Sequence, residues 1–419
     1  MNFIEVIGGR PLHGEISVQG SKNGALPILA GAVLHKGVTI IHNCPEILDV
    51  MYMIQILQEL GCQVWWQGHS LYVDTNQLCT SHVSGKLGEK MRSSIILMGS
   101  LLGRLGEVWI PYPGGCIIGA RPVDIHIDAL RKMQAYIEET DGMLHARTDG
   151  LKGSHISFKY PSVGATENVI LAAVLADGVT EIQGGAREPE ISELCSFLNS
   201  KGAKISEISE DCLRIEGVSE LRDSEYDLMP DRIVAGTYLM AAVATRGCIS
   251  LTNAPIAQLT EVLMTLEHMG AWLEYEEGVL KINAREADQP VEQLMTMPYP
   301  GFPTDLQSPL MAALSLAKGK SCIVESVFEA RFKAAGQLNR MGARILIDGQ
   351  EAVIDGVSRL NGEQVIAPEL RGGAALVIAG LAAEGKTLIQ NSYFIDRGYE
   401  DISRDFRQLG AYIRQKSTR

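Results

Sequence analysis

Residues 29–41 read LAGAVLHKGVTII, and the pattern returns as MGSLLGRLGEVWI (98–110), LAAVLADGVTEI (171–182), LMAAVATRGCISL (239–251), AALSLAKGKSCIV (312–324) and LAAEGKTLIQ (381–390). Each stretch is a helix-like apolar run, a glycine and a short strand-like run. The glycines are Gly37, Gly106, Gly178, Gly247, Gly319 and Gly385, separated by 69, 72, 69, 72 and 66 residues. A fixed period of this size marks one supersecondary unit repeated in series. A glycine just past a helix fits a left-handed C-cap, where a side chain would clash.

A second signal keeps the same register. A helix end, a glycine and a hairpin are read in LGCQVWWQGHSLYV (60–73), DGMLHARTDG (141–150), KGAKISEISEDCLRI (201–215), MGAWLEYEEGVLKI (269–282), MGARILIDGQEAVI (341–354) and LGAYIRQ (409–415). Apolar and polar residues alternate around the turn residues QG, EEG and DGQ, as in short hairpins. Each unit therefore reads helix, strand, helix, hairpin, and six units of about 70 residues fill the chain. The expected fold class is α/β, with two domains of three units each. The first domain is expected over 22–229. The second is expected to be discontinuous, 1–21 plus 230–419, because FIEVIGG (3–9) and GEISVQG (14–20) precede the first helix and can complete one of its units.

Composition narrows the function. The 419 residues are 46% hydrophobic and 21% charged, ordinary globular usage that excludes disorder, collagen and coiled coil. Lys and Arg total 37 against 50 Asp and Glu, a net charge of −13, which argues against nucleic acid or an anionic membrane as partner. A local arginine cluster can still hold an anionic ligand. Eight cysteines form no CxxC pair and nine histidines form no HExxH, so no metal site is expected. Scattered cysteines suit a reducing compartment, and neither a signal peptide nor a membrane-length apolar run is read, so a cytoplasmic protein is expected.

The six helix starts carry the chemistry: GSKNGALPI (20–28), EKMRSSII (89–96), PSVGATENVI (161–170), MPDRIVAGTY (229–238), FPTDLQSPL (302–310) and PELRGGAALV (368–377). Capping alone accounts for Ser162, Thr304 and Asp231. It accounts badly for Lys22, Arg92 and Arg371, because a cation at a helix N-terminus opposes the macrodipole. An anion seated between the cation and the exposed N–H groups resolves the conflict. Six such starts pointing one way predict a polyanionic small molecule in an interdomain cleft. The segment 111–124, PYPGGCIIGARPVD, is too long for a tight turn and rich in Gly and Pro. A buried structural cysteine is less expected there than a reactive one, and Arg121 would favour its thiolate, so Cys116 is read as catalytic. The other seven cysteines are assigned to packing. Arg187, Glu188 and Glu190 are expected to form Arg–Glu pairs that stitch domains or units together, and Arg331 stands between ion pairing and the site. His126 is read as a core or surface residue.

The motifs SKNGALPILA, PGGCIIGARPVD, SVGATEN, AREPEI, PDRI, FPTDLQ, FEARF and DRGYE, in order from residue 21 to 400, resemble the UDP-N-acetylglucosamine 1-carboxyvinyltransferase family of enolpyruvyl transferases. The resemblance implies two inside-out α/β barrels, each of three similar units, with the active site in the interdomain cleft. It implies transfer of the enolpyruvyl group of phosphoenolpyruvate to the 3′-hydroxyl of UDP-N-acetylglucosamine, through a tetrahedral intermediate, with release of phosphate. Lys22, Asn23, Arg121, Arg371 and Arg397 would bind phosphoenolpyruvate. Cys116 would give the proton to its methylene carbon, and Asp305 would act as base. Asn23, Arg92, Arg121, Pro122, Val123, Asp124, Ile125, Ser162, Val163, Gly164, Asp305 and Val327 would bind the nucleotide sugar, with Asp231, Arg331 and Glu369 supporting. No cofactor, nucleic acid, membrane or obligate protein partner is implied.

The chain departs from the family at Glu369, where Asp is usual, and at Lys159, three residues before Ser162 where two is usual. Two other readings compete. A 5-enolpyruvylshikimate-3-phosphate synthase would lack the Cys116 loop. A silent nucleotide-sugar-binding paralogue has no physical need to keep Lys22, Cys116, Arg121, Asp305 and Arg397 together.

Overall fold

A computed structural model describes residues 2–112, 123–276 and 278–417. These divide into two compact units: 20–112 with 123–229, and 2–19 with 230–417. Each unit buries three helices at its centre. In the first they are α1 (Lys22–Ala32), α2 (Leu97–Leu105) and α3 (Val163–Ala173). In the second they are α4 (Arg232–Thr245), α5 (Gln307–Leu314) and α6 (Leu370–Ala382). Every residue of α4 and α5 is buried. Helices apolar all round belong inside a core, which is why small residues and glycines fill these segments. The helices α4, α5 and α6 pack against one another, and α2 lies along α3.

Sheets surround the helices, which makes each unit inside-out. Among the described residues they are separate and open: five of four strands and one of three. In one, the order is Trp272–Glu276, Val279–Asn283, Cys248–Thr252, His13–Ser17. The first three strands belong to one repeat, and the fourth is handed on from elsewhere. The same rule holds around each unit. Ser224–Asp227 runs parallel to Val38–His42, His155–Ser157 to Val179–Gln183, Leu294–Thr296 to Lys320–Glu325, and Gln364–Ile366 to Lys386–Gln390. An isolated bridge from His82 to Trp109 takes this place in the three-stranded sheet. The chain start completes the sixth repeat: Asn2–Ile7 lies antiparallel between Lys386–Gln390 and Tyr412–Ser417.

The glycine expectation needs correction. Of the six, Gly106 is a left-handed helix C-cap (φ 75°). Gly178, Gly319 and Gly385 take positive φ in the turn after the helix. In the fourth repeat the left-handed cap is Arg246, and Gly247 is there for room, since a Cβ would stand 2.5 Å from Leu12 O. Gly37 likewise makes space for the Asp223 carboxylate. The second signal was misplaced in one repeat: Gly142 belongs to the hairpin turn itself. The residue matching Gly61, Gly202, Gly270, Gly342 and Gly410 is Gln134, left-handed at φ 69°.

Lys201 seals the first unit. It is fully buried and donates to Thr39 Oγ1 (2.8 Å) and Ser224 Oγ (3.3 Å), one on each strand of the parallel pair that joins the third repeat to the first. Burial lowers its pKa from 10.5 to about 8 against the pull of Asp223. Between those values the unfolded chain holds the proton and the folded chain does not, so rising pH favours folding. Relative to Lys201→Met, the wild type should gain roughly 3 kcal/mol of stability across that window. Urea unfolding of both proteins at about pH 7 and about pH 10 measures it; an unchanged difference would refute it.

Candidate active site

Two arginines and a carboxylate meet where α5 and α6 begin. Asp305 sits in a one-turn 3-10 helix, Thr304–Leu306, that leads into α5. Its Oδ2 accepts from Arg371 Nε (3.1 Å) and Nη2 (2.7 Å), and its Oδ1 accepts from Arg331 Nη2. Both arginine side chains are 3% exposed, whereas Asp305 is 27% exposed, so the carboxylate is the accessible member of the cluster. Arg331 Nε also donates to Thr304 O (3.3 Å). Glu369 caps α6, accepting from the backbone N–H of Arg371 (2.8 Å) and of Gly372. Its Oε2 lies 4.0 Å from Arg331 Nη1. The longer Glu at this position thus serves two orphan amides of the helix and faces an arginine.

Arg371 is a cation under all conditions. Burial opposes its charge, but Asp305, and after it Tyr399 and Asp231, hold its pKa above the ordinary arginine value. Asp231, 2% exposed, caps α4 by accepting from Ile233 N (2.8 Å) and Val234 N (3.1 Å). Tyr399 is buried with its hydroxyl 2.8 Å from Thr237 Oγ1, and burial pushes its pKa up. Gly398 leaves room for Leu370: a Cβ there would stand 2.9 Å from its Cδ2. Half-buried Arg397 ends the turn Ser392–Arg397 just before it. Gln19 fixes that turn, donating to Gly398 O (3.3 Å) and accepting from Glu400 N (3.0 Å). Val327 N donates to Glu325 Oε1 (2.9 Å).

The 20–229 unit holds the remaining described residues. Lys22 opens α1 behind the cap Ser21, and its Nζ lies 2.8 Å from Oδ2 of buried Asp49. Asn23 follows it, half-buried. Arg92 starts the 3-10 turn Arg92–Ile96 that runs into α2. Val123, Asp124 and Ile125 begin the helix Asp124–Lys132, with Asp124 Oδ1 accepting from Ile125 N (2.8 Å). Ser162 caps α3, accepting from Ala165 N (3.4 Å), with Val163 and Gly164 in its first turn.

One amide joins these segments. Asn168 Nδ2 donates to Ile95 O (3.0 Å) and His126 Nδ1 (2.7 Å), and its Oδ1 accepts from Gly99 N (2.8 Å). A Cβ on Gly164 would lie 3.2 Å from the His126 ring. Buried His126 and Asn168 thereby bring the segments around Arg92, Ile125 and Gly164 together.

Some expectations change. The cations at helix starts were expected to face a ligand anion. Lys22 and Arg371 already face carboxylates of their own units, Asp49 and Asp305. Thr304 is not a cap; its hydroxyl donates to Glu325 Oε2 (2.9 Å). Arg187 reaches exposed Glu210 (3.7 Å). Of the cysteines assigned to packing, Cys79 is exposed. Burial pushes the thiols of Cys62 and Cys195 up to about 12, which leaves them inert at neutral pH. Cys116, Arg121 and Pro122 lie outside the described residues. Sequence reasoning missed Asp49, Asn168, Gln19 and Glu325. Asn168 alone left a trace, as a polar residue inside an apolar helix. Among the described residues no His, Cys, Asp or Glu cluster could hold a metal, and no helix is long and apolar enough to cross a membrane.

The model of the EPSP synthase (3-phosphoshikimate 1-carboxyvinyltransferase) family matches residues 6–406. UDP-N-acetylglucosamine 1-carboxyvinyltransferase 2 of Caldanaerobacter subterraneus subsp. tengcongensis is 45% identical over 413 residues, covering 99% of both chains. UDP-N-acetylglucosamine 1-carboxyvinyltransferase of Cellvibrio japonicus is 44% identical over 417 residues, again 99% of both. The enolpyruvyl transferase NikO from Streptomyces tendae has the same fold, with a TM-score of 0.90 at 24% identity over 100% of this chain and 99% of that one. A family match along nearly the whole chain, with full-length identity well above 30%, establishes the kinship: the chain belongs to the EPSP synthase family, on its UDP-N-acetylglucosamine 1-carboxyvinyltransferase branch.

Proposed function

We propose that this protein transfers the enolpyruvyl group of phosphoenolpyruvate to the 3′-hydroxyl of UDP-N-acetylglucosamine and releases phosphate, the entry step of peptidoglycan synthesis, in the cytoplasm. Membership of the branch whose members carry that name is the observation that carries the reading. The buried arginines beside Asp305 support it.

Phosphoenolpyruvate is anionic at both ends, and Lys22, Arg121, Arg371 and Arg397 answer that charge. Arginine suits a carboxylate because its fork donates two parallel hydrogen bonds. In addition, the sugar oxygen bonds to C2 of phosphoenolpyruvate, its proton passes to Asp305, and the Cys116 thiol protonates C3. In elimination, C3 gives up a proton, the C2–O bond to phosphate breaks, and the double bond returns. Charge builds on C2 as C3 is protonated, and a carboxylate nearby stabilises it as well as taking the proton.

Arginines hold both oxygens of Asp305, so one of them must let go before the carboxylate can take the hydroxyl proton. The carboxylate of phosphoenolpyruvate, drawn to Arg371, competes for that guanidinium and releases Oδ2. Substrate binding and activation of the base are thus one event. Asn23, Arg92, residues 121–125, Ser162, Val163, Gly164 and Val327 hold the nucleotide sugar, while Asp231, Arg331 and Glu369 keep the charged cluster in place.

Phosphate release is measured with phosphoenolpyruvate and either UDP-N-acetylglucosamine or shikimate 3-phosphate. Release with the nucleotide sugar alone is expected. Release with shikimate 3-phosphate, or with neither, would overturn the assignment.

A further inference from the structure

The strand Lys320–Glu325 ends on a carboxylate that is 1% exposed. Oε1 of Glu325 accepts from the backbone N–H groups of Val327 and Phe328, both at 2.9 Å. Oε2 accepts from the Thr304 hydroxyl at 2.9 Å. One oxygen therefore holds the backbone that carries Val327, and the other holds the residue just before Asp305. The turn is tied from its other side as well: Ser326 N donates to Thr296 Oγ1 (3.1 Å), and Ser326 Oγ to Thr296 O.

The repeat itself marks Glu325 as unusual. Six residues after the repeat glycine, four other repeats place Asn43, Gly184, Asn253 and Asn391, with φ of 52°, 67°, 55° and 57°. Left-handed backbone ends the strand there, which Asn and Gly tolerate. Asn43 and Asn253 also donate to the handed-on strand, at Leu228 O and Val18 O. The fifth repeat instead extends its strand by one residue and buries a carboxylate. Burying an anion is costly unless donors surround it, and nothing in the strand pairing asks for one. A local rule broken inside a repeat, with its consequence landing on the site, points to function.

We infer that Glu325 is a positioning residue, which sets the Val327 contact to the nucleotide sugar and the base Asp305 in register with each other. The inference rests on the reactive roles assigned under Proposed function. Its two arms can be cut separately. Glu325→Ala cuts both, and should raise KM for UDP-N-acetylglucosamine about tenfold and lower kcat about tenfold. Thr304→Val cuts only the arm toward Asp305, and should lower kcat about fivefold while leaving that KM within about twofold. Glu325→Gln keeps an oxygen for both amides and turns its NH2 toward Thr304 Oγ1, so it should recover most of the loss.

Steady-state kinetics with both substrates, beside melting temperatures, provide the test. A purely structural Glu325 would lower the melting temperature and leave KM and kcat of the folded protein alone; that result overturns the inference. If Glu325→Ala does not fold, Thr304→Val and Glu325→Gln decide, and Thr304→Val with unchanged kcat overturns it. A wild type without turnover overturns the parent assignment and this inference with it. An active wild type matched by all three variants overturns this inference alone.

Discussion

Asp305→Asn is expected to lower kcat by about 10²–10⁴-fold, the usual loss when a positioned acid–base group is removed. The amide cannot take the hydroxyl proton, nor can it answer the charge that builds on C2. KM for UDP-N-acetylglucosamine should move far less, because the loss falls on the transition state. The variant should remain folded, since its amide oxygen can still accept from Arg371, and Arg331 keeps Thr304 O and Glu369 nearby. Asp305→Ala is a different experiment. It strands two arginines that are 3% exposed, and breaking a buried pair costs about 3–5 kcal/mol. A lower melting temperature for Ala than for Asn, with equally poor turnover, would separate catalysis from stability. Turnover of Asp305→Asn within about tenfold of wild type would remove Asp305 from the role of base.

Cys116→Ser should lose most turnover, again by about 10²–10⁴-fold. A serine hydroxyl is a far weaker acid than a thiol, so protonation of C3 loses its donor. Nucleotide-sugar binding, followed by calorimetry, should persist. The same thiol should be alkylated by fosfomycin: sulfur bonds to an epoxide carbon, the C–O bond opens, and nothing leaves. Intact mass would then rise by one whole drug molecule in the wild type and not in Cys116→Ser. A wild-type mass without adduct would count against a reactive Cys116, as would a Ser variant with full turnover.

The site was legible to different depths. Lys22 and Arg371 stood out as cations at helix starts, where the dipole disfavours them. Their pairing did not show: Asp49 bears no local mark, and Asp305 was read as a base and not as the partner of Arg371. Thr304 was misread as a cap because Thr before a helix usually is one; here a buried carboxylate from the next strand competes for its hydroxyl. Glu325 and Gln19 act on backbone amides and carbonyls across the unit, and such contacts leave no periodicity in the chain.

The sequence by itself determined the α/β repeat and its period, because glycines and hairpins at a fixed spacing mark equivalent units; the inside-out arrangement came only through the family resemblance. The residues with unusual chemistry could also be named, because a cation at a helix start and a cysteine in a Gly-Pro loop conflict with local physics. Tertiary structure decided what closes each sheet. The handed-on strands are as short as three residues, His155–Ser157, Leu294–Thr296 and Gln364–Ile366, too short to show alternation. They become strands only because the next repeat offers them a parallel edge. The electrostatic state of the site was decided there too. Whether a buried arginine meets a ligand or a carboxylate of its own chain depends on which segments the packed helices bring within hydrogen-bond reach, and local sequence does not encode that.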